Sequence, residues 1–118
     1  MIYQAEIPLC AVSKSNSYKV GRNNRLKVNK EVETFEYFFI KLLPEQVKNA
    51  NIKKPFKLVL DLWLQNKNQD LDNCSKSILD CLETAGAIYN DNLCYELIMR
   101  KHIDEENPKI KLKLSELG

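Results

Sequence analysis

The stretch "PFKLVLDLWLQNKNQDLDNCSKSILDCLETAG", residues 55–86, changes its period halfway along and so decides the fold. Phe56, Leu58, Leu60, Leu62 and Leu64 alternate with Lys57, Val59, Asp61, Trp63 and Gln65. A period of two places the first set on one face of a strand and the second on the other. After the polar loop "NKNQDLD" the period lengthens. Ile78, Leu79, Leu82 and Ala85 form one stripe of a helix over about 73–85, and Gly86 follows as its C-terminal cap.

The flanking segments extend this pattern. Residues 2–9, "IYQAEIPL", predict a first strand, and residues 11–29, rich in Ser, Asn and Lys, predict a long polar loop that is mobile in the free protein. Asn29 can cap a helix starting at Lys30, with Glu31 and Glu33 favourably placed in its first turn. Val32, Phe35, Phe39 and Leu42 make its apolar stripe until Pro44 kinks or ends it, and a further turn or two can run to about residue 50. Beyond Gly86, "IYNDN" turns into a strand at about 93–102, "DEENP" reads as a hairpin connection, and "KIKLKLSEL" alternates as a last strand. The order strand-helix-strand-helix-strand-strand predicts one small α/β (α+β) domain over residues 1–118. It has a mixed four-stranded sheet and two main helices.

Composition narrows the function. Apolar runs are too short to span a bilayer, and "MIYQAEIPLC" has neither the basic start nor the cleavage site of a signal peptide, so a cytosolic protein is expected. Cys10, Cys74, Cys81 and Cys94 form no CxxC pair, which argues against a zinc ribbon. Cys74 and Cys81 lie seven apart on one helix face and read as reduced, partly buried side chains. The single His102 cannot build a histidine-rich metal site. Charge is unevenly placed. Residues 1–57 hold 11 Lys and Arg against 5 Asp and Glu, whereas residues 58–118 hold 7 against 11. The basic half suits a phosphate backbone and the acidic half suits cations. Within the polar loop, Lys14, Lys19, Arg22, Arg25, Lys27 and Lys30 with Tyr18 among them suit phosphate contact and one stacking ring.

The aspartates carry the chemistry. Asp70 and Asp72, two apart in an extended segment, point to one side; Asp72 stands where a helix N-cap would. Lys76 shares a helix face with Asp72, Asp80 follows a turn later, and Asp91 enters from the loop before the next strand. If that loop returns beside Asp70, three carboxylates meet and repel unless cations lie between them. Two Mg²⁺ ions about 3.5–4 Å apart would clamp a phosphodiester there, with a lysine steadying developing charge. Spacing alone leaves a second reading open, a helix start with an acidic cap and an ordinary surface ion pair. Asp61, midway along a strand, reads as structural, and Asp104, Glu105 and Glu106 read as a charged turn.

"DLDNCSKSILDCLETAGAIYNDN", residues 70–92, closely resembles the signature of the RusA family of Holliday junction resolvases: Asp70-Leu71-Asp72-Asn73, then Lys76, Asp80 with Leu82, Gly86 and Asp91. The chain also follows that family in its opening strand, in "SKSNSYK" and in its closing strand pair. Two departures stand out: "QNKNQ" replaces an arginine-rich run before Asp70, and Asn90-Asp91 replaces an acidic pair. The resemblance implies a homodimeric, Mg²⁺-dependent endonuclease, with Mn²⁺ as a substitute, that makes symmetric paired incisions in four-way DNA junctions. It implies Asp70, Asp72 and Asp91 as metal-binding carboxylates, Lys76 as the assisting lysine, Asn73 as a brace, and Asn16 and Tyr18 beside the loop cations as DNA contacts. A two-fold dimer matches a two-fold substrate, and the Trp63 face of the second strand is one candidate for its interface. A branched-DNA binding protein without cleavage is the alternative, which the thin basic run before Asp70 favours.

Overall fold

The computed structural model describes residues 1–12 and 30–118, together with the backbone of residues 18–20 and 26–28. The main sheet has four strands in the order β1-β6-β4-β5: β1 is Ile2–Ile7, β4 Phe56–Leu64, β5 Cys94–Ile103 and β6 Lys109–Glu116. β6 runs antiparallel to both β1 and β4, while β4 and β5 are parallel. The helices are α1 (Lys30–Leu42), the single-turn α2 (Glu45–Lys48) and α3 (Leu71–Ala85).

The alternation of β4 is realised in full. Phe56, Leu58, Leu60, Leu62 and Leu64 are all fully buried, and Ile110, Leu112 and Leu114 of β6 join them on the helix-covered side. Val32, Phe35 and Phe39 of α1 face this layer, the two Phe rings 5.6 Å apart. Leu42 is 44% exposed, and Leu43 takes the buried place expected for it. In α3 the buried set is Cys74, Ser77, Ile78, Cys81 and Leu82, a helical i, i+3, i+4, i+7, i+8 series. Ser77 is polar within that series, and its hydroxyl donates to Val12 O and Cys74 O, both at 3.0 Å. Those bonds remove the cost of burying it and tie the chain after β1 to α3.

The other sheet face is open and polar, as one-sided burial of a sheet allows. Asp61 there bonds Arg100 at 3.2 Å and His102 at 3.0 Å. Trp63 stacks on His102 at 4.3 Å, with the Lys109 and Lys111 ammoniums over its ring. Asp61 is therefore structural, as the sequence suggests.

Three expectations change. "DEENP" does not close a hairpin between neighbours, because β6 lies between β1 and β4 rather than beside β5. The physical reason is burial: β6 sinks Ile110, Leu112 and Leu114, as a central strand requires, whereas Leu97 and Ile103 of β5 stay 41% and 48% exposed at the edge. Within the segment read as a structureless loop, β2 (Tyr18–Val20) and β3 (Leu26–Val28) pair antiparallel. Helix α3 begins at Leu71, so Asp70 and not Asp72 holds the N-cap position.

Gly86 closes α3 in the left-handed region at φ 93°, its N–H donating to Glu83 O while the Ala87 N–H reaches Leu82 O. A Cβ at this position would also stand 3.3 Å from the Lys48 carbonyl. Gly86→Ala is expected to cost about 1–2 kcal/mol, read as a lowered urea midpoint at an unchanged slope. An unshifted midpoint would show that the cap relaxes freely.

Candidate active site

At its C-terminal end β4 hands the chain to a short loop, residues 65–69, and then to Asp70. That loop is tied down on both sides. The Gln69 side-chain amide donates to Ala11 O at 3.0 Å, and the Cys10 thiol approaches Gln69 Oε1 at 3.8 Å, joining the loop to the chain after β1. From the edge strand, the Lys101 ammonium donates to Lys67 O at 2.6 Å and Gln69 O at 2.5 Å. Within the loop, the Asn68 N–H meets Asn66 Oδ1 at 2.7 Å and the Gln69 N–H meets Asn66 O at 3.2 Å.

Asp70 emerges with extended cap geometry, φ −80° and ψ 124°, yet its side chain makes no capping bond. An N-cap aspartate ordinarily accepts a helix N–H. Here the exposed carboxylate is left for another role, with Asn73 Nδ2 approaching Asp70 Oδ2 at 3.5 Å. Asp72, in the first helical turn, and Lys76, one turn further, are both exposed. Asp70 and Asn73 border a cleft of about 940 Å³ that Ala11, Lys30 and Glu31 also line. The start of α3 therefore carries two exposed carboxylates and a lysine, of which Asp70 borders the cleft.

Below them Cys74 is buried, its thiol directed at Asp70 O at 3.5 Å. Burial pushes this thiol up to about 11, with Cys10, Asp72 and Asp70 raising it further and Lys101 opposing them. Cys94 is likewise raised, chiefly by burial. The Cys74 thiol stays protonated near neutral pH, so beside it the negative charge is that of Asp70 and Asp72.

Asp91 is placed elsewhere. It opens a 3-10 turn, Asp91–Leu93, at the far end of α3, where its N–H donates to Glu83 Oε1 at 2.9 Å. Asn90 caps that turn through Asn92 N at 2.9 Å. A helix rises 1.5 Å per residue, so the span from Asp70 to Glu83 is roughly 20 Å. The sheet agrees: β5 is parallel to β4, so Phe56 pairs with Cys94 and the entrance to β5 lies opposite the exit of β4. One copy of the chain places Asp70, Asp72, Asn73 and Lys76 at the start of α3 and Asp91 at its other end. Among the described residues, no group of three His, Cys, Asp or Glu is set to hold a metal. Asn29 and the side chains of Lys14, Asn16, Tyr18, Lys19, Arg22, Arg25 and Lys27 lie outside the described residues.

Gln69 and Lys101 escape a reading based on spacing. Lys101 had a visible signal, because it falls opposite Leu62 on the apolar side of β5, among Leu97, Met99 and Ile103. There its stem lies along apolar neighbours while its exposed ammonium reaches the backbone of the loop.

A parallel β4-α3-β5 unit with carboxylates at the strand-to-helix turn, on a chain with a basic N-terminal half, has the features of a small nuclease. Residues 8–115 match the family model described as Endodeoxyribonuclease RusA. The chain is also 32% identical to the "Crossover junction endodeoxyribonuclease RusA" of Aquifex aeolicus (strain VF5), over 96% of this chain and 88% of the relative. The chain belongs to the RusA family and, with it, to the endodeoxyribonucleases. Among the described residues, no helix is long and apolar enough to cross a membrane.

Proposed function

We propose that this protein cleaves four-way DNA junctions as a Mg²⁺-dependent homodimer, making paired symmetric incisions. The observation that carries the site assignment is the Asp70 carboxylate, exposed at the cleft and free of the cap bond its position invites. Asp70 and Asp72 fit a hard divalent cation, since Mg²⁺ commonly takes one or two carboxylates and fills its remaining positions with water and substrate phosphate. When bound, the ion supplies Lewis acidity toward the phosphodiester and activates water. Asn73 steadies Asp70. Lys76, a turn beyond Asp72, offers an ammonium to a non-bridging phosphate oxygen, where negative charge develops.

The distance to Asp91 favours a dimer with shared sites. β5 is an edge strand, and Tyr95, Leu97 and Ile103 on it are 69%, 41% and 48% exposed, with Tyr89 nearby at 65%. An unpaired apolar edge invites another strand. Antiparallel pairing of β5 with its copy sets the entrance of one strand against the exit of the other. The partner subunit's Asp91 then approaches Asp70 and Asp72. This edge suits the interface better than the Trp63 face, where the indole is already covered by His102, Lys109 and Lys111. The DNA would run along the cations of residues 14–30, with Asn16, Tyr18 and Asn73 among the contacts.

The test compares labelled four-way, three-way and linear DNA with and without Mg²⁺ or Mn²⁺. Paired nicks at symmetric positions of the four-way junction, dependent on the ion, are expected. Equal cutting of linear DNA would remove the junction assignment, and binding without nicks under every metal would favour a holding role.

A further inference from the structure

We propose that Lys101 is a positioning residue of the active site: by clamping the carbonyls of Lys67 and Gln69 it fixes the loop that presents Asp70 to the metal. The inference rests on the metal reading of Asp70 above. Lys101 comes from the edge strand, 31 residues after Asp70, and its ammonium bonds two carbonyls of one loop, at 2.6 and 2.5 Å. An ammonium has three donors and no acceptor, and two carbonyls two residues apart give it a chelating pair. Charge-assisted bonds of this kind are the stronger class. The second clamped carbonyl belongs to Gln69, whose peptide leads directly into Asp70. Because Asp70 makes no capping bond of its own, the helix start does not orient its carboxylate, and the loop backbone has to.

Asn73 and Gln69 also touch this region, but neither replaces the clamp. Asn73 meets the Asp70 carboxylate only at 3.5 Å, and Gln69 anchors its side chain on Ala11 rather than restraining the carbonyls. The clamped Gln69 carbonyl is that of the peptide bond leading into Asp70, which keeps the ammonium near that residue.

That proximity gives the test its discriminating sign. A lysine acting only as a neighbouring positive charge repels the metal, so removing it would tighten cation binding. A lysine acting through the loop does the reverse.

The experiment uses full-length protein carrying Lys101→Met, which keeps the stem and loses the donors, and Lys101→Arg, which keeps the charge and offers five donors. Mn²⁺ binding is measured by the electron paramagnetic resonance of the free ion, alongside amide exchange at Asn68 and Gln69 and the thermal midpoint. Lys101→Met is expected to weaken Mn²⁺ roughly 10-fold or more, the range for groups that orient a metal ligand. Exchange at Asn68 and Gln69 should accelerate while the midpoint holds, and Lys101→Arg should recover most of the affinity. Unchanged or tighter Mn²⁺ binding in Lys101→Met overturns the proposal. So does a loss of affinity that only follows a lowered midpoint. Wild-type protein that binds no Mn²⁺ overturns the metal reading itself and this inference with it, an outcome distinct from parity between wild type and variant.

Discussion

Asp70→Asn is expected to abolish junction cleavage while leaving the fold and junction binding intact. The side chain is exposed, makes no capping bond, and among the described residues meets Asn73 at 3.5 Å. Asparagine is as good an N-cap residue as aspartate, so the unfolding midpoint should not move. The chemistry should suffer heavily. A ligand to a Lewis-acidic ion supports several kcal/mol of charge stabilisation, and each ~1.4 kcal/mol is a factor of ten, so the rate should fall on the order of 10³-fold. Binding should move the other way. Removing one negative charge beside a phosphate backbone reduces repulsion, so gel shifts in Ca²⁺ or without metal should show equal or tighter complexes. A variant that cuts at the wild-type rate would remove Asp70 from the site. One that loses binding and cleavage together would assign Asp70 to holding DNA instead.

How much of this can be read from residues alone differs by element. β4 and α3 are legible because each follows a single period, and Gly86 marks a stop that only a residue tolerant of positive φ makes cheaply. The acidic pair and Lys76 are legible as types in sequence. Their geometry is shifted, because the helix starts at Leu71 and moves Asp72 from the cap into the first turn. The neighbours of β6 are not legible, since alternation gives a strand its two faces but does not name the strands beside it. The β2–β3 pair is hidden by its length, since three residues each, Tyr18–Val20 and Leu26–Val28, are too few for an alternation to register. The position of Asp91 could have been derived. Two strands joined by a helix of this length run parallel, so a residue entering the second strand sits at the opposite end from one leaving the first. Spacing in sequence suggests that Asp70 and Asp91 meet, and the direction of β5 separates them by the length of α3.

That separation yields the second large effect. If each site takes Asp70 and Asp72 from one subunit and Asp91 from the other, then Asp70→Asn and Asp91→Asn proteins, each inactive alone, should restore cleavage when mixed. In the mixed dimer one site combines both substitutions and is dead. The other joins an intact Asp70 to the partner subunit's intact Asp91. Random exchange of subunits makes half the dimers mixed, each with one working site of two, so about a quarter of the wild-type sites return. The products should also differ: single nicks rather than resolved duplexes, because a mixed dimer cannot make the second incision. Sites built within one chain predict the opposite, since every subunit then carries a lesion and no mixture cuts. The control addresses the edge strand. Placing Leu97→Glu in both proteins sets like charges on the apolar rim of β5, which should block association by light scattering and suppress the restored nicking. Restoration that persists in protein monomeric by scattering would rule out the shared site, and an inactive mixture of well-formed dimers would return Asp91 to a role away from the metal.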